Sequence, residues 1–452
     1  MAEEVDVVVI GLGPGGEDAA GRLAEAGLSV VAVESRLVGG ECPYYACVPT
    51  KMMVRAAGLL ADGRRVPGMA GESTIGPDWA PVAARIRDEA TDSWDDKAAA
   101  DRLTGKGVRL VRGHGRITAP REVTVDDRTF RARRGVLLNT GTSPAAPPID
   151  GLDAVPYWTN REAVQATEVP RSLLVLGGGV VGVEMAQIFS RFDSRVTVVE
   201  AGDRLVVNEE PESSDLLRTV FEREGIGVRT GVKVTGASHE GGEFTLHLED
   251  EALTADRLLV ATGRRPNLKG LGLDAVGLDE NARQIPVDGN MRAADGLWAV
   301  GDITGKGAFT HVSMYQASIA VRDILGEEGP PAAYRAVPRV TFTDPEIASV
   351  GLTEAQARDQ NLPIRTGTAQ IPDSARGWIH KTGNDGFIKL VENTEWGVLV
   401  GATAAGPSGG EILGALAVAV HTEATTTALR EMIYAYPTFH RAIEPALTNL
   451  TT

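Results

Sequence analysis

Sulfur is scarce in this chain: of its 452 residues, only Cys42 and Cys47 are cysteines. A disulfide-rich secreted framework is therefore excluded, and any sulfur chemistry must use that one pair. Zinc storage is disfavoured as well, because a closed zinc site needs four ligands and the nearest histidine is the distant His114; no metal site is expected. Long apolar runs are also missing. None reaches the ~18 residues that a membrane helix needs, and the opening MAEEVDVVVI has no basic region, apolar stretch of signal-peptide length or cleavage site. A soluble, cytoplasmic protein is expected. Basic side chains are in deficit, 45 against 61 acidic ones, for a formal net charge of −16. Nucleic acid and anionic membrane surfaces gain affinity from basic patches, so both are disfavoured as partners. A nucleotide held by local groups remains compatible with that charge.

Glycine, by contrast, is in excess. Its 53 residues are about 12% of the chain against a typical 7%, which points to tight turns or backbone brought close to ligands. Hydrophobic residues at 43% and charged residues at 23% are those of a globular protein. At roughly 150 residues per domain, about three domains are expected.

The run Val5 to Ile10 suits a buried parallel strand and ends abruptly at Gly11-Leu12-Gly13-Pro14-Gly15-Gly16. A helical pattern through Ala19, Ala20, Leu23 and Ala26 follows, then a strand from Ser29 to Val33 closing on Glu34. The same order returns with a strand at Leu173 to Leu176, the turn Gly177 to Gly182, a helix from Val183 to Phe192, and a strand at Val196 to Val199 closing on Glu200. After each unit, at Gly107 to Leu138 and Gly227 to Leu259, short strands and turns predict an antiparallel section. Ala61 to Pro81 reads as a loop, and the acidic stretch Asp88 to Asp101 as one solvated helix face. Beyond Gly329-Pro330-Pro331, strands at Arg339 to Phe342 and Gly386 to Val391 and a helix from Gly410 to Val420 mark a further domain.

Gly11, Gly13 and Gly16 fit G-x-G-x-x-G. In that pattern the first glycine permits the turn, the second admits a pyrophosphate, and the third lets helix pack on strand. The helix N-terminus offers N–H groups to the phosphates, and Glu34 is placed to accept from ribose hydroxyls. Gly177, Gly179, Gly182 and Glu200 repeat the arrangement. An acid at that strand end repels the extra phosphate of NADP, so Glu200 favours NAD; Arg204, four residues on, is near enough to pair with such a phosphate. Between the two cofactor motifs lies Gly39 to Lys51, GGECPYYACVPTK. Its two thiols, at the start of a predicted helix, can close a disulfide or hold a stabilised thiolate.

These pieces resemble the flavoprotein (FAD-dependent pyridine nucleotide-disulfide) oxidoreductase family, which includes dihydrolipoamide dehydrogenase, glutathione reductase and mercuric reductase. The match covers nearly the whole chain. It includes both glycine motifs, Gly39 to Lys51, Asn139-Thr140-Gly141, Ala261 to Asn267 with Gly263, Ala299-Val300-Gly301-Asp302, and Phe342 to Pro345. The resemblance implies an α/β fold with two Rossmann-like domains, for FAD and NAD(P), and a C-terminal α+β dimerisation domain. The corresponding limits are 1–160 and 286–330 for FAD, 161–285 for NAD(P) and 331–452 for the interface.

By the same resemblance, Gly40, Thr140, Gly141 and Asp302 join the FAD site, with Asp302 at the ribityl chain, and Gly263 joins the cofactor-binding set. Lys51 and Glu184 match the ion pair beside the flavin N5. Electrons would pass from NAD(P)H through the flavin to the Cys42–Cys47 disulfide and on to an acceptor, Cys47 forming the charge-transfer thiolate and Cys42 attacking substrate. A homodimer would complete the active site across its interface.

One motif departs from the family. A His-Pro-Thr-x-x-Glu run normally supplies an acid–base dyad, but this chain reads Tyr436-Pro437-Thr438-Phe439-His440-Arg441. Tyrosine, with an ordinary pKa near 10, is a poor base at neutral pH. His440 reads as a surface histidine, or as a substitute base if the loop turns it inward. The loss leaves the acceptor open: a small molecule or small thiol, or else direct flavin reduction of a quinone, metal ion or oxygen. A 2-ketopropyl-thioether-type reductase/carboxylase and a redox sensor without turnover are further alternatives.

Overall fold

The computed structural model describes residues 2–451, and the chain forms two compact units. The first comprises Met1–Thr50, Ala84–Ala145 and Arg264–Tyr334. Its strand β1 (Glu3–Ile10) pairs in parallel with β2 (Val30–Glu34), Val7 opposite Val30 and Ile10 opposite Val33. The long strand Arg128–Leu138 lies along the other edge of β1. Alternation along β1 divides its side chains between two cores. Val7 and Val9 face the core that includes Ala19, Leu23, Ala317 and Ala320, residues of helices α1 (Pro14–Glu25) and Thr310–Leu325. Val8 and Ile10 face the core with Ile117, Val123 and Phe130. Burial on both faces is why β1 reads as an apolar run rather than an alternating one.

The second unit comprises Lys51–Ala83, Ala146–Gly263 and Arg335–Thr452. It holds a four-stranded parallel sheet whose inner strands, Ser172–Leu176 and Arg195–Val199, are joined in sequence by helix Val180–Arg191; a three-stranded antiparallel sheet comes later in the chain. A five-stranded antiparallel sheet runs in the order Pro338–Thr341, Glu346–Gly351, Val398–Gly406, Phe387–Asn393, Ile364–Gln370. Helix Gly409–Thr422 packs on it through Ile412, Leu413 and Leu416. The fold is the expected α/β architecture.

Three local expectations need correction. The antiparallel section expected at Gly107 to Leu138 is present only in part: Arg116–Ala119, Glu122–Val125 and the start of Arg128–Leu138 pair antiparallel, while Arg109–Arg112 pairs in parallel with β2 and Arg128–Leu138 continues into the parallel sheet beside β1. Ala61 to Pro81 is not wholly loop, because one helix extends to Arg64 and another starts at Ala80. Asp88 to Asp101 is not one solvated helix. A π-turn at Ile86–Ala90 is followed by three consecutive residues of positive φ, Asp92, Ser93 and Trp94, before a helix at Lys97–Gly105. Asp96 in this stretch is buried, accepting from Val38 N at 2.6 Å and pairing with Arg112 at 2.7 Å; specific tertiary partners outweigh the local charge pattern.

Candidate active site

In the first unit, the turn between β1 and α1 is as tight as its glycines predict. Gly11 has φ +89°, and a methyl there would stand 2.4 Å from the Asn139 carbonyl oxygen; one on Gly16 would stand 2.1 Å from that of Gly11. Gly13 is the N-cap of α1 and brings no capping side chain, so no N-cap side chain covers the positive dipole end of the helix. Glu34 is buried and accepts from Leu12 N at 2.7 Å and Arg36 N at 2.8 Å. Each carboxylate oxygen has further acceptor capacity for a ribose hydroxyl. Gly40, φ +69°, lies so near the loop that a methyl on it would be 2.9 Å from the Gly13 Cα.

Asn139 joins these pieces, a role that its place in a short motif does not reveal. Its side-chain Oδ1 accepts from Gly16 N at 2.9 Å, and its Nδ2 donates to the Val300 carbonyl at 3.0 Å and to Ser313 Oγ at 3.2 Å. The neighbouring Thr140 donates to the Asn267 carbonyl at 2.8 Å, and Asn267 N donates to the Gly141 carbonyl at 3.0 Å. Asp302 follows Gly301, whose φ is +80°, and accepts from Thr142 Oγ1 at 2.7 Å. Thr142 is in turn gripped by Arg264, which lies 3.6 Å from Glu41.

Cys42 lies in a short helix, α2 (Glu41–Tyr44), and Cys47 is the first residue of α3 (Cys47–Arg64). They are not joined in a disulfide. A side-chain hydrogen bond between Cys42 and Cys47, with burial, holds the Cys42 proton well above the ordinary thiol range. The hydroxyl of Thr310 and the Cys47 backbone N–H pull in the opposite direction. Cys47 Sγ lies 3.4 Å from Thr310 Oγ1. Thr310 is a site residue that sequence reasoning missed; its only signal is its position at the start of the helix following Asp302.

In the second unit, Gly177 has φ +111°, and methyls on Gly177 and Gly182 would stand 2.5 and 2.0 Å from the carbonyl oxygens of Ala261 and Gly177. Gly179 differs: a methyl there would meet no protein atom within 4 Å. Glycine at that position fits backbone approach to a pyrophosphate rather than a packing need of the chain. Glu200 accepts from Gly178 N and Gly202 N, both at 2.6 Å, reproducing the part that Glu34 plays in the other unit. Gly263, φ +136°, follows the parallel strand Arg257–Val260. Lys51 donates to Glu184 at 2.8 Å, and the other oxygen of this buried carboxylate accepts from Phe342 N at 2.8 Å. The lysine ammonium stands 4.6 Å from the centroid of the Phe342 ring. Thus the pair predicted from sequence is brought together, and Phe342 braces both members.

Tyr436 is 70% exposed. Arg441 stands 5.7 Å from its ring centroid, donates to the Tyr434 carbonyl at 3.0 Å and pairs with Glu444 at 2.8 Å. Arg441 therefore works as a brace of this loop. His440 is half-buried, 6.2 Å from the Tyr434 ring.

Two glycine turns built for dinucleotides and a hydrogen-bonded thiol pair define a flavin- and nicotinamide-dependent redox protein. Residues 5–321 match the model of the pyridine nucleotide-disulphide oxidoreductases, and residues 337–447 match that family's dimerisation domain. The chain belongs to the pyridine nucleotide-disulphide oxidoreductase family, whose cofactors are FAD and NAD(P)H. A dihydrolipoyl dehydrogenase of Chlorobaculum tepidum is 34% identical over 99% of this chain and 97% of its own length. A mercuric reductase of Acidithiobacillus ferrooxidans is 32% identical over 99% and 83%. Among solved structures, the Cu(II) complex of the HOCl-induced flavoprotein disulfide reductase RclA from Escherichia coli shares 25% identity and a TM-score of 0.87, with 99% of each chain covered. Among the described residues, no helix is long and apolar enough to cross a membrane.

Proposed function

We propose that the protein moves electrons from NAD(P)H through FAD to the Cys42–Cys47 disulfide and on to a small-molecule or small-thiol acceptor. The observation that carries this reading is the thiol pair itself: Cys42 and Cys47 are hydrogen-bonded to each other, and Thr310 borders their sulfurs. When bound, the flavin supplies two-electron transfer between nicotinamide and sulfur. The balance is simple. One hydride and one solvent proton convert the disulfide into two thiols; with a disulfide acceptor, Cys42 gives up its proton and attacks one sulfur, Cys47 gives up its own and displaces the second as the protein disulfide re-forms, and the two protons end on the two departing thiols.

The chain's own residues divide the remaining work. Glu34, Asp302, Gly13, Gly40, Thr140 and Gly141 are assigned to FAD, and Gly179, Glu200 and Gly263 to the nicotinamide dinucleotide. The Lys51–Glu184 pair takes the role that the family resemblance gives it at the flavin. NADH is the favoured donor: Glu200 places a negative charge at the strand end, while Arg204 is already committed to Glu209 O, Val207 O and Ser214 Oγ. The sequence-derived domain limits and a cytoplasmic homodimer belong to the same proposal. Tyr436 and Arg441 stand where a proton-donating dyad is expected, which favours acceptors that need no such donor, including metal ions and quinones.

Steady-state assays of Cys42→Ser with a panel of disulfides, quinones and metal ions test the dithiol route. A loss of at least a hundredfold in turnover is expected with the physiological acceptor class. Unimpaired turnover with every accepted substrate would move the reaction to the flavin alone.

A further inference from the structure

Two cysteines five positions apart on an uninterrupted α-helix would point about 140° away from each other, so this pair needs a broken helix. The break is present at Tyr45 and Ala46, between α2 and α3. Pro49 accounts for its place, since a helical proline has no N–H for the carbonyl four residues back, here Tyr45, and its ring clashes with that group. What proline cannot do is fix the direction of the break. Ending α2 at Tyr44 leaves that residue's carbonyl without an intrahelical donor, and a peptide free to turn would carry Cys42 with it.

The Tyr44 carbonyl is held from outside. The indole N–H of Trp94 donates to it at 3.1 Å. The Tyr44 ring is buried against Gly39, on which a methyl would lie 3.5 Å from Tyr44 Cε2. Trp94 stands in an uncommon backbone: Asp92, Ser93 and Trp94 have φ of 46°, 58° and 59°. Consecutive L residues in this left-handed region are costly and persist only where surrounding structure enforces them. The enforcing contacts are present. Thr91, buried, donates to the carbonyls of Ile86 and Arg87 at 3.0 and 3.2 Å and accepts from Trp94 N at 3.3 Å, while Ser93 N donates to the Arg87 carbonyl at 2.6 Å. An unfavourable turn is thus maintained and aims one N–H at the peptide between the two thiols.

We propose that Trp94 is a positioning residue for the Cys42–Cys47 pair, restraining the broken helix in its reduced form so that the thiols stay within reach of one another. The proposal rests on the dithiol reading above. In the oxidised form the disulfide itself ties the loop; in the reduced form only noncovalent contacts do. Removing the indole donor therefore lowers the effective concentration of one thiol at the other and leaves the Tyr44 carbonyl unpaired in the tied state. Both effects make the disulfide easier to reduce.

The test is the equilibrium of the full-length holoprotein with glutathione redox buffers, read by alkylation and mass. Trp94→Phe, which keeps an aromatic ring but no donor, should lower the equilibrium constant for disulfide formation roughly fivefold to tenfold, a potential about 20 to 30 mV more positive. Thr91→Val, which frees the turn without touching the indole, should shift it in the same direction by less, and it decides the matter if Trp94→Phe does not fold. Trp378→Phe, at a 75% exposed tryptophan of the other unit, should leave it unchanged. A wild-type disulfide with the same constant in Trp94→Phe and Thr91→Val would overturn the role of Trp94 alone. Wild-type protein that forms no disulfide in any buffer would overturn the dithiol reading, and this proposal with it.

Discussion

A carboxylate can hold a loop and still serve a ligand, and Glu34 and Glu200 are both placed to do so. Each binds one backbone N–H of its glycine turn and one two residues past itself, which fixes the acid at the strand end. The two thiols are less symmetrical. The side-chain hydrogen bond to Cys47, with burial, holds the Cys42 proton above the ordinary thiol range, and because a hydrogen bond to the charged form of an acid favours ionisation, we predict that this bond stabilises a Cys47 thiolate. Comparison of Cys42→Ser with Cys42→Ala isolates this effect: serine retains an O–H donor and alanine has none. The Cys47 titration, followed by thiolate absorbance against pH, should have its midpoint about one unit higher in the alanine variant, as expected for losing a charge-assisted bond. Coincident midpoints would show that the donated bond contributes nothing.

At the scale of elements, Asn139 concentrates the load. It links the first turn of α1 to the Val300 carbonyl and to Ser313 in helix Thr310–Leu325. Asn139→Ala leaves buried backbone groups unpaired, and a loss of roughly 3 kcal/mol in stability is expected, together with poor flavin retention. Thermal unfolding and the flavin-to-protein absorbance ratio of the purified variant check both; an unchanged melting temperature with full flavin content would contradict the assignment.

The glycine turns and their terminal acids are legible in sequence because they depend on local necessities, a positive φ at Gly11 and Gly177 and a fixed spacing to the next strand end. The Lys51–Glu184 pair, 133 positions apart, is legible only through family resemblance. The break within Asp88 to Asp101 is not legible. Its charges suit a solvated helix; the buried Asp96 and the Trp94 indole override them through partners distant in sequence, and the Thr91 hydroxyl does so through local carbonyls. Thr310 escapes for the same reason: its distance to Cys47 is a tertiary fact.

At the scale of the molecule, one chain carries two dinucleotide turns, one thiol pair and a dimerisation domain, all within a protein of net charge −16. Such a charge suits exchange with small acceptors better than with polyanions. Under the proposed function the Tyr436 to Arg441 segment bears on the choice of acceptor, yet every acceptor of the dithiol route needs the same preceding event, transfer of two electrons to the sulfur pair. Counting thiols after anaerobic addition of one equivalent of NADH to the oxidised holoprotein measures that event. Two new alkylatable thiols per chain, mapped to Cys42 and Cys47, are predicted; NADH oxidised in full with the disulfide still intact would contradict the account.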